Sequence, residues 1–129
     1  IGILLARESG LLGVSGISGD MQLLLESDAA EAEEAVELFC YSAQRAVGSL
    51  AAALGGLDAL VFTAGIGEHA AIVRQRICTG LRWLGLELDD EANARHGPRL
   101  STATSGVAAW VIATDEAAVI ARATRRVLQ

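Results

Sequence analysis

The chain has 129 residues, the size of one ordinary domain, which leaves no room for a two-domain enzyme. Its formal net charge is −6, from 16 acidic and 10 basic residues, a sign that repels polyphosphate backbones and argues against nucleic acid as a partner. Every basic residue is arginine. A Walker lysine, a Schiff-base lysine and a lysine general base are therefore excluded, and bound phosphate has to be held by backbone amides, arginine or a metal.

The hydrophobic fraction is 52%, with five aromatics, enough for a core of helices and buried strands. Cys40 and Cys78 lie far apart without metal-ligand spacing, each inside a helical apolar pattern. Reduced, buried thiols are expected, with a cytosolic (cytoplasmic) location as their natural companion. An apolar run of about 20 residues and a charged-then-apolar leader are both lacking, which argues against a membrane span and against secretion. The first residue is Ile1 and the only methionine is Met21, so a missing upstream part is expected.

Residues Ile1 to Leu5 read as the tail of an earlier element. Ser9 to Asp20 (SGLLGVSGISGD) holds too many glycines for a stable helix interior and reads as a loop, with a possible helix at Met21. From Ala29 to Leu54 the apolar positions Val36, Cys40, Ala43, Val47, Leu50 and Leu54 step by three and four, one helix face, stopped by Gly55-Gly56. Asp58 to Thr63 (DALVFT) reads as a strand buried on both faces, and Ala64 to Glu68 as a turn. A helix from about Ala70 to Leu84 places Val73, Ile77, Leu81 and Leu84 on one side. Leu86 to Leu88 is a brief extended piece, and Asp89 to Gly97 a polar connector with room for one helical turn, ended by Pro98. Val107 to Ala113 reads as a second buried strand. Thr114 then caps a final helix, with Asp115 and Glu116 in its first turn and Arg122, Arg125 and Arg126 late, a charge order that complements the helix dipole. Strand and helix alternate twice, so an α/β layer with parallel strands is expected.

Three loops carry candidate chemistry. Thr63-Ala64-Gly65-Ile66-Gly67-Glu68 lies between strand and helix, where two glycines let the backbone approach a phosphate or ribose; glycine used merely to turn explains the same pattern, and the third glycine of the dinucleotide fingerprint is lacking. Asp20, after the Ser15 to Gly19 run, suits either ribose hydroxyls or a helix cap. Thr114-Asp115-Glu116 puts carboxylates at the carboxyl end of a strand, suited to magnesium or simply to dipole compensation.

In their order and sequence these loops resemble the acetate kinase family, within the actin-like ATPase (ribonuclease H-like) fold, from Ser9 to Val127. Gly13-Val14-Ser15-Gly16-Ile17-Ser18-Gly19-Asp20 resembles the segment leading the adenosine site, and Leu57 to Glu68 the segment that closes over the nucleotide. Thr114-Asp115-Glu116-Ala117 stands where the family has Thr-Asn-Glu-Glu, and Leu81 to Asp89 is similar to its linker. The resemblance implies that residues 1–129 are a C-terminal nucleotide-binding segment without its N-terminal domain, taking ATP and Mg²⁺ for phosphoryl transfer between ATP and acetate, or else propionate or butyrate. It implies that Asp20, Met21 and Gln22 sit at the adenosine, that Gly65, Ile66, Gly67, Glu68 and His69 line the nucleotide, and that Glu116 is the magnesium ligand. The groups that position the acyl phosphate lie upstream, so the segment holds no catalytic residue and is expected to be inactive alone. The family pairs through this part, so a homodimer is expected, and a non-catalytic dimerisation module is the alternative function. Met21 and Gln22 replace the family's aromatic and arginine, and His69 replaces its asparagine, removing a stacking face, a cation-π partner and an amide.

Overall fold

The computed structural model describes residues 9–127; the expected element at residues 1–5 lies outside them. Helix α1 (Gly10–Ser15) occupies part of the segment expected to be a loop. Its glycines are tolerated because two of the three from Gly10 to Gly16 fall at the boundaries: Gly10 opens the helix, and Gly16 ends it in the left-handed region at φ 64°, donating its N–H to the Leu12 carbonyl. The buried Ser15 hydroxyl donates to the Leu11 carbonyl at 2.7 Å and accepts from the Ile17 amide at 3.1 Å, fixing the bend that follows. Helix α2 (Met21–Leu25) starts on Asp20, whose Oδ1 accepts from the Gln22 amide at 2.9 Å, and it buries Met21 and Leu24.

Helix α3 (Ala30–Leu54) matches its expected span within a residue and ends on Gly55, again left-handed at φ 77°. Only the first half of the expected apolar face reaches the core. Val36 and Cys40 are buried, Ala43 and Val47 are half-buried, and Leu50 and Leu54 are 62% and 74% exposed. Leu54 lies five full turns beyond Val36 and so on the same side of the helix, yet in the last turns Ala51 is the residue that is buried.

Strand β1 (Ala59–Phe62) and strand β2 (Ala108–Val111) form a parallel pair in the register Ala59 to Ala108 and Phe62 to Val111. This parallel α/β arrangement agrees with the sequence. The expectation that β1 is buried on both faces does not hold: Ala59 and Val61 are exposed, whereas Leu60 is half-buried and Phe62 buried. A continuous apolar run therefore has one of its faces open among the described residues.

The connection between the strands packs on α3. It comprises α4 (Ala64–His69), α5 (Ala71–Gly80), a 3₁₀ turn (Arg82–Leu84) and α6 (Asp90–Ala94). The anticipated turn at 64–68 is thus a short helix, entered through Ala64 at φ 58°. The anticipated helix to Leu84 breaks at Gly80 and is re-formed as the 3₁₀ turn, closed by Gly85 at φ 87°. Val73, Ile77 and Leu81 point into the core as expected, with Leu86 and Leu100 beside them; truncating one such buried leucine costs about 2–5 kcal/mol. Helix α7 (Glu116–Val127) follows β2. Its cap is Asp115, whose Oδ1 accepts from the Ala118 amide at 2.9 Å, and not Thr114 as the sequence suggested. Thr114 is engaged elsewhere. No helix among the described residues is long and apolar enough to cross a membrane.

Candidate functional site

A cavity of about 870 Å³ lies beside the turn that leaves the carboxyl end of β1. In open α/β sheets ligands bind at such a place, and the volume lies within the ordinary range for small-molecule sites, about 300–1,000 Å³. Two segments build it. The first turns of α2 supply Gly19, Asp20, Met21, Gln22, Leu25 and Glu26; α4 and the residue after it supply Gly65, Ile66, His69 and Ala70. The lining is mostly apolar, with polar groups from Asp20, Gln22, Glu26 and His69. Asp20 spends Oδ1 on capping α2, and Oδ2 accepts no hydrogen bond among the described residues, so the carboxylate keeps acceptor capacity toward the cavity. Gln22 donates to Glu26 Oε1 at 3.0 Å, one helical turn away. Among the described residues no arginine lines the cavity.

Six of the eight residues singled out in the sequence for nucleotide contact, Asp20, Met21, Gln22, Gly65, Ile66 and His69, meet here although more than forty positions separate the two groups. Gly67 and Glu68 do not line the cavity. A side chain on Gly67 would stand 3.1 Å from the backbone carbon of Phe62, so this glycine serves the close packing of α4 on β1. A side chain on Gly65 would meet nothing within 4 Å among the described residues. Its backbone also lies outside the left-handed region, so no described contact or torsion calls for a glycine there. Glu68 turns away to Thr114, where Oε1 accepts from the amide at 2.9 Å and the hydroxyl at 3.1 Å. These bonds, the amide first, hold its carboxyl below the ordinary glutamate range.

Leu25, Glu26 and Ala70 escaped the sequence reading. Leu25 and Glu26 stand four residues after Met21 and Gln22, the spacing that stacks side chains on one helical face, and that spacing was the available signal. Arg74 was missed as well. It is fully buried in α5 and reaches α4 and α6.

The expectation for a metal at Glu116 rests on a side chain outside the described set. Among the described residues no three acidic, histidine or cysteine side chains gather to hold an ion. Asp115 and Glu68, the neighbouring carboxylates, already serve as a cap and a latch. Magnesium usually keeps several waters and takes one or two carboxylates together with substrate phosphates, so a closed protein cage is not required of such a segment.

A parallel strand pair with a ligand-sized cavity at the outgoing turn is an α/β segment of the actin-like ATPase type. The chain belongs to the acetokinase family, whose model matches residues 1–122. It is 62% identical over 121 residues to an acetate kinase of Rhodopseudomonas palustris, covering 92% of this chain and 30% of that protein. Its structure superposes on a Porphyromonas gingivalis acetate kinase with a TM-score of 0.86 at 34% identity, covering 99% of this chain and 34% of that one. A propionate kinase from Francisella tularensis gives a TM-score of 0.82 at 35% identity, covering 89% of this chain and 30% of that one. The chain thus spans about a third of the length of the relatives it matches.

Proposed function

We propose that this chain is the nucleotide-binding segment of an acetate kinase-type phosphotransferase, which holds Mg-ATP for reversible phosphoryl transfer to acetate. The observation that carries the proposal is the cavity joining Asp20, Met21 and Gln22 to Gly65, Ile66 and His69. Its mostly apolar lining, which includes no arginine among the described residues, suits the nucleoside end of the nucleotide, with the Asp20 carboxylate available to ribose hydroxyls. The phosphate chain would lie outside it, toward the β2–α7 junction, where Glu116 is the proposed magnesium ligand. The metal would there offset phosphate charge as it builds during transfer. The acceptor acid is selected by other parts of the longer protein, and the similarity to a propionate kinase keeps propionate, and with it butyrate, as alternatives to acetate. Buried, reduced Cys40 and Cys78 suit a cytosolic setting.

Calorimetric titration of the chain with ATP and magnesium tests this reading. Saturable binding, weakened when Gln22 is replaced by alanine, is expected. Absence of binding at millimolar nucleotide would overturn it.

A second reading is a non-catalytic module that pairs with a second copy of itself. It is favoured by the exposed Leu38, Tyr41, Leu50 and Leu54 along α3, with Trp83 also exposed.

A further inference from the structure

Arg74 is the largest fully buried side chain among the described residues, and its surroundings are unusual for a charge. Neither ion pair among those residues involves it. Instead four of its five N–H groups donate to neutral acceptors, and the fifth lies near the His96 ring, whose Nδ1 also stands 3.0 Å from the Glu68 carbonyl. Nε donates to Asn93 Oδ1 at 2.8 Å and Nη1 to the carbonyls of Gly67 and Glu68, both at 2.9 Å. Nη2 donates to the Asn93 carbonyl at 2.8 Å and lies 3.2 Å from His96 Nδ1. Burial lowers its pKa, the direction expected for a cation withdrawn from water, yet a guanidinium stays charged.

A buried cation without a counter-charge is a poor way to gain stability alone, since apolar residues of similar volume fill such sites as well or better. The acceptors indicate what else it does. The Gly67 and Glu68 carbonyls belong to the last turn of α4, where helix carbonyls have no intrahelical partner and a positive charge is favourable. Asn93 and His96 belong to α6 and the residues just after it, and Asn93 also donates Nδ2 to the Ala71 carbonyl at 2.9 Å. Arg74 thereby ties the end of α4 to a second element, while Gly67 seats α4 on Phe62 and Glu68 fastens it to Thr114. The opposite face of the same six residues carries Gly65, Ile66 and His69 at the cavity.

We propose that Arg74 is the positioning residue of this site: its guanidinium clamp fixes the orientation in which α4 presents Gly65, Ile66 and His69 to the ligand. The proposal rests on the nucleotide reading of the cavity. Lysine in its place keeps the charge but directs its donors from a single nitrogen, and it cannot serve acceptors on α4 and α6 in the same planar fork.

The test uses the full chain with Arg74→Lys, and His96→Ala as a milder variant that removes one exposed ring contacting both the guanidinium and the Glu68 carbonyl. Hydrogen exchange and ATP titration are read well below the melting temperature. For Arg74→Lys the expected result is faster exchange confined to residues 64–70 and 91–97, with α3 protection unchanged and ATP affinity lowered roughly tenfold. His96→Ala is expected to show the same pattern at smaller amplitude, and it decides the matter if the lysine variant does not fold. Protection lost evenly over the chain, or ATP affinity unchanged in a folded variant, would overturn the positioning role. If the unaltered chain binds no ATP, the nucleotide reading fails, and the exchange pattern still decides whether Arg74 clamps α4.

Discussion

Glu68 and Thr114 stand 46 positions apart and meet through a single carboxylate oxygen, which accepts both the amide and the hydroxyl of the threonine. The pair joins the turn after β1 to the turn after β2, the two carboxyl ends of a parallel sheet. It thereby fixes the spacing between the candidate nucleotide helix and the segment that carries Glu116.

This latch has a pH signature. The folded Glu68 carboxyl titrates below its unfolded value, so the unfolded state binds the proton more readily and protonation favours unfolding. The stability it contributes is fully present above the unfolded value of about 4.3 and is lost as pH falls through the lower folded value. Urea midpoints measured from pH 7 to pH 3 are expected to fall less steeply in Glu68→Gln than in the unaltered chain. Parallel profiles would contradict the assignment.

The two glycines of α4 are expected to respond oppositely to alanine. In Gly65→Ala the new methyl enters open space at the cavity, so stability changes by less than about 1 kcal/mol while ATP affinity falls. In Gly67→Ala the methyl presses on the Phe62 backbone, with a cost of about 1–3 kcal/mol. Melting curves and titrations of both proteins check the contrast, and equal stability losses would refute it.

Both cysteines are expected to resist alkylation in the folded chain. Burial raises the Cys40 thiol and pushes Cys78 up to about 12, where little nucleophilic thiolate exists at neutral pH. Iodoacetamide at pH 8 should modify folded Cys78 on the order of a thousandfold more slowly than denatured chain. Rapid labelling of the folded chain would show that the site opens.

The chain alone is expected to form no acetyl phosphate from ATP, magnesium and acetate, since the groups expected to hold the acceptor are not among its matched motifs. A coupled assay decides this. Turnover abolished by Glu116→Ala would prove the chain catalytic and overturn the expectation.

Self-association follows from the second reading. Sedimentation at micromolar concentration is expected to give a dimer that Leu50→Arg dissociates; a monomer at every concentration would remove that reading.

The parallel α/β order and most helices were legible because glycine pairs, caps and apolar spacing speak locally. Gly55 and Asp20 act within a few residues of themselves; the stop at Gly55 followed from the sequence, and the cap at Asp20 was one of the two roles it offered. Burial was less legible, since it depends on distant partners. Nothing local distinguishes Leu50, exposed, from Val36, buried, on the same stripe. The α1 helix was missed because glycine content was weighed without position, although two of its glycines fall at helix ends. The cavity residues were found through their resemblance to a family, and the structure draws most of them together. Arg74 stayed hidden because its partners are main-chain carbonyls on α4 and α6, along with Asn93 and His96, and such acceptors leave little mark on a sequence.

The half-open sheet bears on how the chain is handled in solution. Among the described residues β1 has a partner on one side only, and its exposed Ala59 and Val61 offer no charge to discourage another strand. An unpaired, uncharged edge is a template for β-addition. At high concentration this edge is the expected starting point of precipitation, and a lysine at Val61 is the natural gatekeeper to introduce before crystallisation or storage.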